Sequence, residues 1–229
     1  MKGKFVCFFG IDGSGKTTLI NESIKRLNQK GVKFNYVWGS HQLYFLRPII
    51  VMGKRILFRN SSSSKDYNGY VSSINKIGKS SFLSLCYQGA IFIEYLVQIF
   101  IKISVPLMIG KNIISDRYIY DTVVNMKVNL GLEESTLNKI IKVLLKIIPV
   151  PDLIFFVDVP EELAFARKAD TPSIEYLKIR RSLFKKIAES YHAIFIDGTK
   201  SIEELYSLVE ELIQSNLEIK SHGFKTVYS

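Results

Sequence analysis

Cysteine is scarce in this sequence. Cys7 and Cys86 are the only two cysteines among 229 residues and lie far apart, which excludes a disulfide framework and favours a reducing compartment. The first residues lead directly into a short apolar run, so we expect no secretory signal. Arginine-rich runs with interleaved aromatic residues, the usual indication of nucleic-acid binding, are missing too. These absences predict a cytoplasmic protein without a nucleic-acid partner.

A long uninterrupted apolar run is also lacking. The most apolar stretch, residues 91–108, is broken by Glu94, Gln98, Lys102 and Pro106, whereas a bilayer-spanning helix needs about 20 mostly apolar residues. We therefore predict a buried helix here.

Positive charge is in excess, with a formal net charge of +10. This excess favours polyanionic partners such as nucleotides, nucleic acid or an anionic membrane. Lys139, Lys142 and Lys146 lie at helical spacing opposite Ile141 and Leu144, so their simplest interpretation is the solvated face of an amphipathic helix.

Short apolar runs alternate with helical-period segments along the chain. The runs are rich in Val, Ile and Phe and nearly uninterrupted, which predicts buried parallel strands with helices on both faces, an α/β fold. They comprise residues 5–9, 34–38, 112–115, 153–157 and 193–196. We predict one domain over residues 1–229, with a polar, serine-rich excursion at 60–81 and a frayed tail at 217–229.

A complete Walker A motif follows the first predicted strand. It reads Gly10-Ile11-Asp12-Gly13-Ser14-Gly15-Lys16-Thr17 and runs through Thr18 into a predicted helix. Glycines let successive backbone N–H groups point at phosphate oxygens, and the helix N-terminus adds positive charge. Lys16 is suited to the β- and γ-phosphates of ATP and the Thr17 hydroxyl to Mg²⁺.

A second candidate site follows the third strand at Asp116 and Arg117. Ligands of open α/β sheets bind beyond the carboxyl ends of strands, where the Walker loop also lies. Asp116 can hold Mg²⁺ and Arg117 can clamp a second phosphate; a helix cap or a salt bridge is the simpler alternative for the aspartate. Asp158, after the fourth strand, competes for the metal role.

Basic residues cluster around residues 169–173. Cations that close over the γ-phosphate are expected in phosphoryl transfer. For Arg167 and Arg180 this role and a solvated surface are equally good interpretations, whereas Lys168 and Arg181 are expected to be solvated.

In these motifs the sequence resembles the thymidylate kinase family. The resemblance rests on residues 8–18, on Ser115-Asp116-Arg117-Tyr118, on Val157-Asp158-Val159-Pro160-Glu161-Glu162 with Arg167, and on Ile196-Asp197-Gly198-Thr199. It implies a three-layer P-loop NTPase fold whose five-stranded parallel sheet has the order 2-3-1-4-5. The implied activity is ATP- and Mg²⁺-dependent phosphorylation of a nucleoside monophosphate, with dTMP as the acceptor.

The resemblance also implies that the protein is a homodimer and implies roles for individual residues. Asp12 is implied to hold the sugar hydroxyl of the acceptor or its metal, and Arg117 to bridge the acceptor phosphate and ATP. Arg167 is implied to belong to a lid, and Asp197, Gly198 and Thr199 to the adenine-side loop.

Departures from the family pattern fall on the acceptor side. Phe9 replaces an acidic residue before the Walker glycine, and Trp38-Gly39-Ser40-His41 replaces an Arg-Glu-Pro-Gly-Gly-type loop, with Arg47 the nearest arginine. Glu94-Tyr95 replaces an Asp-Arg pair, and Asp121, Thr122 and Asn125 occupy the region of a missing Tyr-Gln pair.

These departures leave alternatives open. The acceptor can be another nucleotide, a sugar or a lipid headgroup, with residues 44–58 as a membrane contact or, more simply, a lid helix. A non-catalytic ATP-binding regulator is the alternative from another functional class, although the intact Lys16, Thr17, Asp116 and Arg117 argue against it.

Overall fold

A computed structural model of the chain describes residues 2–42, 81–168 and 170–221. The predictions for residues 44–58, for 60–80 and for the tail beyond 221 lie outside these residues. Contacts divide the chain into two compact units, one of Met1–Ser40 with Ile101–Ser229 and one of His41–Phe100.

The described elements alternate between strands and helices. In chain order they are β1 (Phe5–Phe9), α1 (Lys16–Gln29), β2 (Phe34–Trp38), α2 (Ser81–Ile99), a π-helical turn (Phe100–Ser104), α3 (Val105–Met108), β3 (Asn112–Asp116), α4 (Ile119–Leu130), α5 (Glu134–Leu144), β4 (Leu153–Asp158), α6 (Glu161–Arg167), α7 (Ile174–Ser190), β5 (Ile194–Asp197) and α8 (Ile202–Ser221).

The strands form one five-stranded parallel sheet in the order β2-β3-β1-β4-β5. Helices cover both faces, so the predicted three-layer P-loop NTPase fold and its strand order are confirmed. All five residues of the central strand β1 are buried. This explains its continuous apolar sequence, because a central parallel strand is covered on both sides.

The predicted element bounds hold to within a few residues. Strands β3, β4 and β5 each end one residue later than predicted, at Asp116, Asp158 and Asp197. Gly31, with φ of +82°, follows the end of α1, where a left-handed residue commonly ends a helix. α8 continues to Ser221, into the segment 217–229 that is predicted to fray.

The apolar stretch 91–108 is helical, but the prediction that it is buried is only partly right. By length and composition, the segment Gly89–Met108 is long and apolar enough to cross a membrane. Only 33% of its 18-residue apolar window is buried, however. Its buried residues include the polar Glu94 and Gln98, while Ile93, Phe100 and Met108 are exposed. Core helices pass the same test of length and composition, so it does not establish a membrane span.

Strand register brings three acidic residues to the carboxyl edge of the sheet. Phe8 of β1 is paired with Asp116 of β3, and Asp158 of β4 is paired with Asp197 of β5. The backbone N–H of Arg117 donates to the carbonyl of Phe8 at 2.8 Å. The Walker loop, which leaves β1 immediately afterwards, therefore lies beside Asp116 and Arg117.

Gly39 is placed where its backbone approaches the residue after β3. Its N–H donates to the carbonyl of Asp116 at 2.9 Å, and a Cβ built on Gly39 lies 2.1 Å from the carbonyl oxygen of Arg117. Only glycine fits at this position without displacing the backbone that carries Arg117.

We expect Gly39→Ala to lower the free energy of unfolding by about 1–3 kcal/mol, because the clash is with backbone and cannot relax by a side-chain rotation. Gly89→Ala is the matched control, since that helical glycine has open space around it; it should stabilise by up to about 1 kcal/mol. Urea denaturation measures both. Equal effects of the two substitutions would contradict the close approach at Gly39.

Candidate active site

The Walker loop links β1 to α1 in the predicted strand–loop–helix arrangement. Gly13, with φ of +81°, lies against α6: a Cβ at this position would be 2.1 Å from the carbonyl oxygen of Ala164. Gly15, with φ of +84°, then leads directly into α1. The loop conformation therefore depends on glycine for both its dihedral angles and its packing.

Lys16 folds back over this loop. Its Nζ donates to the carbonyl of Ile11 at 2.6 Å and to Ser14 Oγ at 3.0 Å, and the residue is only 5% exposed. Burial, together with the nearby Arg117, lowers the pKa of Lys16 to about 8 despite the opposing pull of Asp116. The ammonium group is thus held inside the loop that is expected to bind phosphates.

Thr17 and Asp116 meet beside the loop. Thr17 Oγ1 donates to Asp116 Oδ2 at 2.5 Å, and Tyr36 Oη reaches the same oxygen at 3.4 Å. Burial and Asp116 raise the pKa of Tyr36 to about 12, so this hydroxyl stays protonated. Asp116 is fully buried, and its Oδ1 has no hydrogen-bond partner within the described part of the chain. A hydroxyl and a carboxylate with a spare oxygen are ligands that suit Mg²⁺.

Arg117 lies between two carboxylates. Its Nη2 donates to Asp12 Oδ1 and its Nη1 to Asp121 Oδ1, and the ring of Trp38 faces the guanidinium at 5.4 Å. Its backbone φ of +73° is rare for a residue other than glycine. Such a conformation persists only where surrounding contacts enforce it. From this position the Arg117 side chain reaches Asp12 of the Walker loop.

The two carboxylates differ in burial. The side chain of Asp12 is 22% exposed, whereas that of Asp121 is fully buried. Burial alone would raise the pKa of Asp12, but Arg117 and Lys16 hold it below its usual value. Burial would lower the pKa of Arg117, and the charges of Asp121 and Asp12 more than offset this. Arg117 is therefore a fixed cation with one buried and one accessible partner.

The predicted basic cluster separates into different environments. Lys168 Nζ lies 3.4 Å from Asp12 Oδ1, so the expectation that Lys168 is merely solvated is wrong. Arg167 is exposed and its Nη1 donates to the carbonyl of Gly198 at 3.2 Å. Arg180 is buried, donates to Asn125 Oδ1 and packs on the ring of Tyr176.

Asp158 has a structural partner. Arg181 donates to both of its carboxylate oxygens, at 2.7 and 3.1 Å, and to Glu161 Oε2 at 2.7 Å. The expectation that Arg181 is solvated is therefore wrong. Its ion pairs connect α7 to the end of β4 and to the start of α6. This arrangement leaves Asp116 as the better metal candidate.

The loop after β5 forms a tight turn. Asp197 Oδ1 accepts hydrogen bonds from the N–H and the hydroxyl of Thr199 at 3.0 and 2.6 Å, and the N–H of Gly198 donates to the carbonyl of Asp158 at 2.8 Å. The predicted adenine-side residues in this turn therefore lie next to the predicted lid residue Arg167, which contacts the carbonyl of Gly198.

The smaller unit contains a polar cluster on α2. Gln98 Nε2 donates to the carbonyl of Gln42 at 2.5 Å, and Gln98 Oε1 accepts from its N–H at 3.3 Å. His41 Nε2 lies 3.6 Å from Glu94 Oε2. Two of the departures seen in the sequence, His41 and Glu94, are therefore neighbours.

Sequence reasoning does not assign two residues that contact Arg117 or Asp12. In the sequence, Asp121 is only a departure from the family pattern, and Lys168 is expected to be solvated. Asp121 follows Arg117 by four residues, a spacing that brings side chains together at the start of a helix, so that signal was available. No local sequence pattern indicates the role of Lys168, because Lys168 and Asp12 are 156 positions apart in the chain.

A glycine loop that holds a buried lysine, a hydroxyl–carboxylate pair and a bridging arginine together define a P-loop phosphotransferase. Comparison with known proteins agrees with this class and also identifies the family within it. A sequence model of the thymidylate kinase family matches residues 76–213, more than half of the chain. The chain therefore belongs to the thymidylate kinase family, whose members are nucleoside monophosphate kinases.

Similar curated proteins cover nearly the whole chain. A thymidylate kinase of Prochlorococcus marinus (strain MIT 9312) is 31% identical over 94% of this chain and 98% of its own length. One from Fervidobacterium nodosum is 24% identical over 93% of this chain and its full length. One from Leptospira borgpetersenii is 26% identical over 94% of this chain and 96% of its own length.

The lowered pKa of Lys16 predicts a pH dependence of ATP binding. The free protein loses the Lys16 proton as the pH rises through about 8, and the ammonium is needed to attract the phosphates. We expect ATP affinity to be constant below pH 8 and to fall above it by at most about tenfold per pH unit, the limit for one proton. Calorimetric titrations over a range of about pH 6.5–9.5 measure it. An affinity independent of pH across this range would contradict the prediction.

The buried partner of Arg117 predicts a graded mutational effect. Asp121→Ala should reduce kcat/KM for the monophosphate by about a hundredfold, because a misplaced Arg117 no longer meets the acceptor. Asp121→Asn keeps an oxygen that can accept from Nη1 and should restore part of the loss. Steady-state kinetics with either substrate varied measure this, and the KM for ATP should change less. Equal losses for both substrates, in proportion to lost stability, would indicate a structural role only.

Proposed function

We propose that this protein transfers the γ-phosphoryl group of ATP to dTMP, forming dTDP and ADP. The observation that carries the proposal is Arg117, a buried cation that bridges Asp12 of the Walker loop and Asp121 of α4. A protein that only binds ATP does not need a second phosphate-binding arginine at this position. Membership of the thymidylate kinase family supports dTMP as the acceptor.

Lys16 and the N–H groups of the Walker loop bind the β- and γ-phosphates of ATP. An oxygen of the acceptor phosphate attacks the γ-phosphorus in line, and the bond from that phosphorus to the oxygen bridging to the β-phosphate breaks. The electron pair of that bond stays on the departing ADP. A phosphate oxygen is already anionic, so the acceptor needs no general base.

Arg117 changes partners when the acceptor binds. Its contact with the accessible Asp12 is exchanged for the acceptor phosphate, while its contact with the buried Asp121 is retained. Asp12, once released, is free to accept a hydrogen bond from a sugar hydroxyl. Lys168, which also contacts Asp12, is then placed to neutralise charge at the γ-phosphate.

Thr17 and Asp116 would hold Mg²⁺, which supplies neutralisation of the phosphate oxygens when bound. The buried Asp116 Oδ1 that lacks a hydrogen-bond partner in the described residues supports this assignment. Arg167 and the turn at Asp197, Gly198 and Thr199 are proposed to contact the adenine side, and Arg180 to stay in the wall beside Asn125.

We also propose a homodimer that works in the cytoplasm. Ile93, Val97 and Phe100, spaced at helical intervals, present exposed apolar surface in the smaller unit, and such surface favours an interface. Light scattering measures the mass of the protein in solution and so tests the homodimer. Nucleotides as substrates and a reduced, buried Cys7 are consistent with a cytoplasmic enzyme.

A different acceptor is the second candidate. His41 and Glu94 form a pair at positions where the family pattern has arginine-containing motifs, so recognition of the base or sugar can differ. Other nucleotides, sugars and lipid headgroups fit the same phosphoryl chemistry.

An ADP-release assay over a set of acceptors tests both candidates. We expect dTMP to give the highest kcat/KM among dTMP, dUMP, UMP, CMP, AMP, GMP and free thymidine, and Lys16→Ala to abolish turnover. A higher value for another monophosphate would replace dTMP and keep the mechanism. ATP binding without phosphorylation of any acceptor, or near-normal turnover by Lys16→Ala, would contradict the mechanism.

A further inference from the structure

The outward face of α5 and the turn after it carry an unusual mixture of side chains. Lys139, Lys142 and Lys146 were predicted to form a solvated face, and all three are exposed. Val143, at 57% exposure, lies between Lys142 and Lys146 in the chain, and Ile147, at 69%, follows Lys146. Val150, at 59%, follows the helix. We call these three lysines and three apolar residues the α5 patch.

These apolar residues are not needed to hold the helix in place. The opposite face of α5 already buries Leu137, Ile141 and Leu144, and Ile148 is buried just beyond it. An amphipathic surface helix normally presents polar residues outward. Single exposed apolar side chains are ordinary, but Val143, Ile147 and Val150 are all exposed and lie close together in the chain, at the end of α5 and just beyond it.

The charge of the α5 patch is not balanced by its own helix. Glu133 and Glu134 lie only at the start of α5, and Glu134 is held by Lys186 Nζ at 2.7 Å. Lys139, Lys142 and Lys146 take part in no salt bridge within residues 2–42, 81–168 and 170–221. The patch is thus positively charged and apolar at once, in a chain with a net charge of +10.

We propose that the α5 patch binds the surface of an anionic membrane reversibly. Lysines attract anionic headgroups, while Val143, Ile147 and Val150 enter the boundary between headgroups and acyl chains. This surface is separate from the catalytic residues, so the proposal is independent of the acceptor that the enzyme uses.

Other occupants fit these side chains less well. Nucleic-acid surfaces typically use arginine and stacking aromatic residues, and the α5 patch contains neither. A second copy of the chain across a two-fold axis would bring the same lysines face to face, and like charges oppose such an interface.

Vesicle co-sedimentation of the full chain tests the proposal. We expect binding to vesicles of phosphatidylcholine with phosphatidylglycerol, little binding to phosphatidylcholine alone, and loss of binding as NaCl is raised. The triple variant Lys139→Ala/Lys142→Ala/Lys146→Ala should lower the partition coefficient on the order of a hundredfold, about fivefold for each lysine. Val143→Ser/Ile147→Ser should lower it by at least about tenfold.

Matched variants separate the patch from general charge and hydrophobicity. Lys2→Ala/Lys33→Ala/Lys111→Ala removes the same charge from other exposed lysines, and Ile202→Ser/Leu208→Ser removes exposed apolar residues from α8. Both should bind like the unchanged protein, apart from a small shared effect of net charge. Circular dichroism and ADP release should show that all four variants are folded.

Three results would overturn the proposal. The first is equal binding to neutral and anionic vesicles, or to neither. The second is equal loss of binding in patch and control variants. The third is binding of duplex DNA or RNA that depends on the lysines but not on Val143 and Ile147, which would assign the patch to a nucleic acid.

Discussion

Arg117 and its two carboxylates are the interaction on which the site depends. A buried guanidinium is stable only when its charge is paired, and Asp12 and Asp121 provide that pairing from two different elements. The same contacts hold Arg117 in its rare backbone conformation, with φ of +73°. Because Asp121 is buried and Asp12 is accessible, we propose that Asp121 anchors the arginine and that Asp12 is exchanged for a phosphate.

The sheet supplies the position of this group. β1 lies between β3 and β4 with every residue buried, so its register fixes where the Walker loop begins relative to Asp116. Gly39 lets β2 approach the carbonyl of Arg117 from the other side. Arg181 holds the end of β4 to α6 and α7. These helices carry Arg167 and Arg180, and Lys168 directly follows α6.

Much of the fold could be predicted from the sequence, because buried parallel strands and a strand–loop–helix motif are local patterns. The position of Asp116 and Arg117 beside the Walker loop followed from the rule that such sites lie at strand carboxyl ends. Side-chain partners could not be predicted in the same way. The contacts of Lys168 with Asp12 and of Arg181 with Asp158 depend on how helices are rotated against the sheet, which residue spacing does not encode. The exposure of the apolar helix at 91–108 likewise depends on packing, since its composition also fits a buried helix.

The most direct measurement is a crystal structure with Mg²⁺, an unreactive ATP analogue and dTMP. Arg117 should then contact the phosphate of dTMP, keep its hydrogen bond to Asp121 and no longer contact Asp12. An Arg117 that remains paired with Asp12 while dTMP is bound, or that leaves Asp121 to reach the phosphate, would contradict the division into an anchoring and an exchangeable carboxylate.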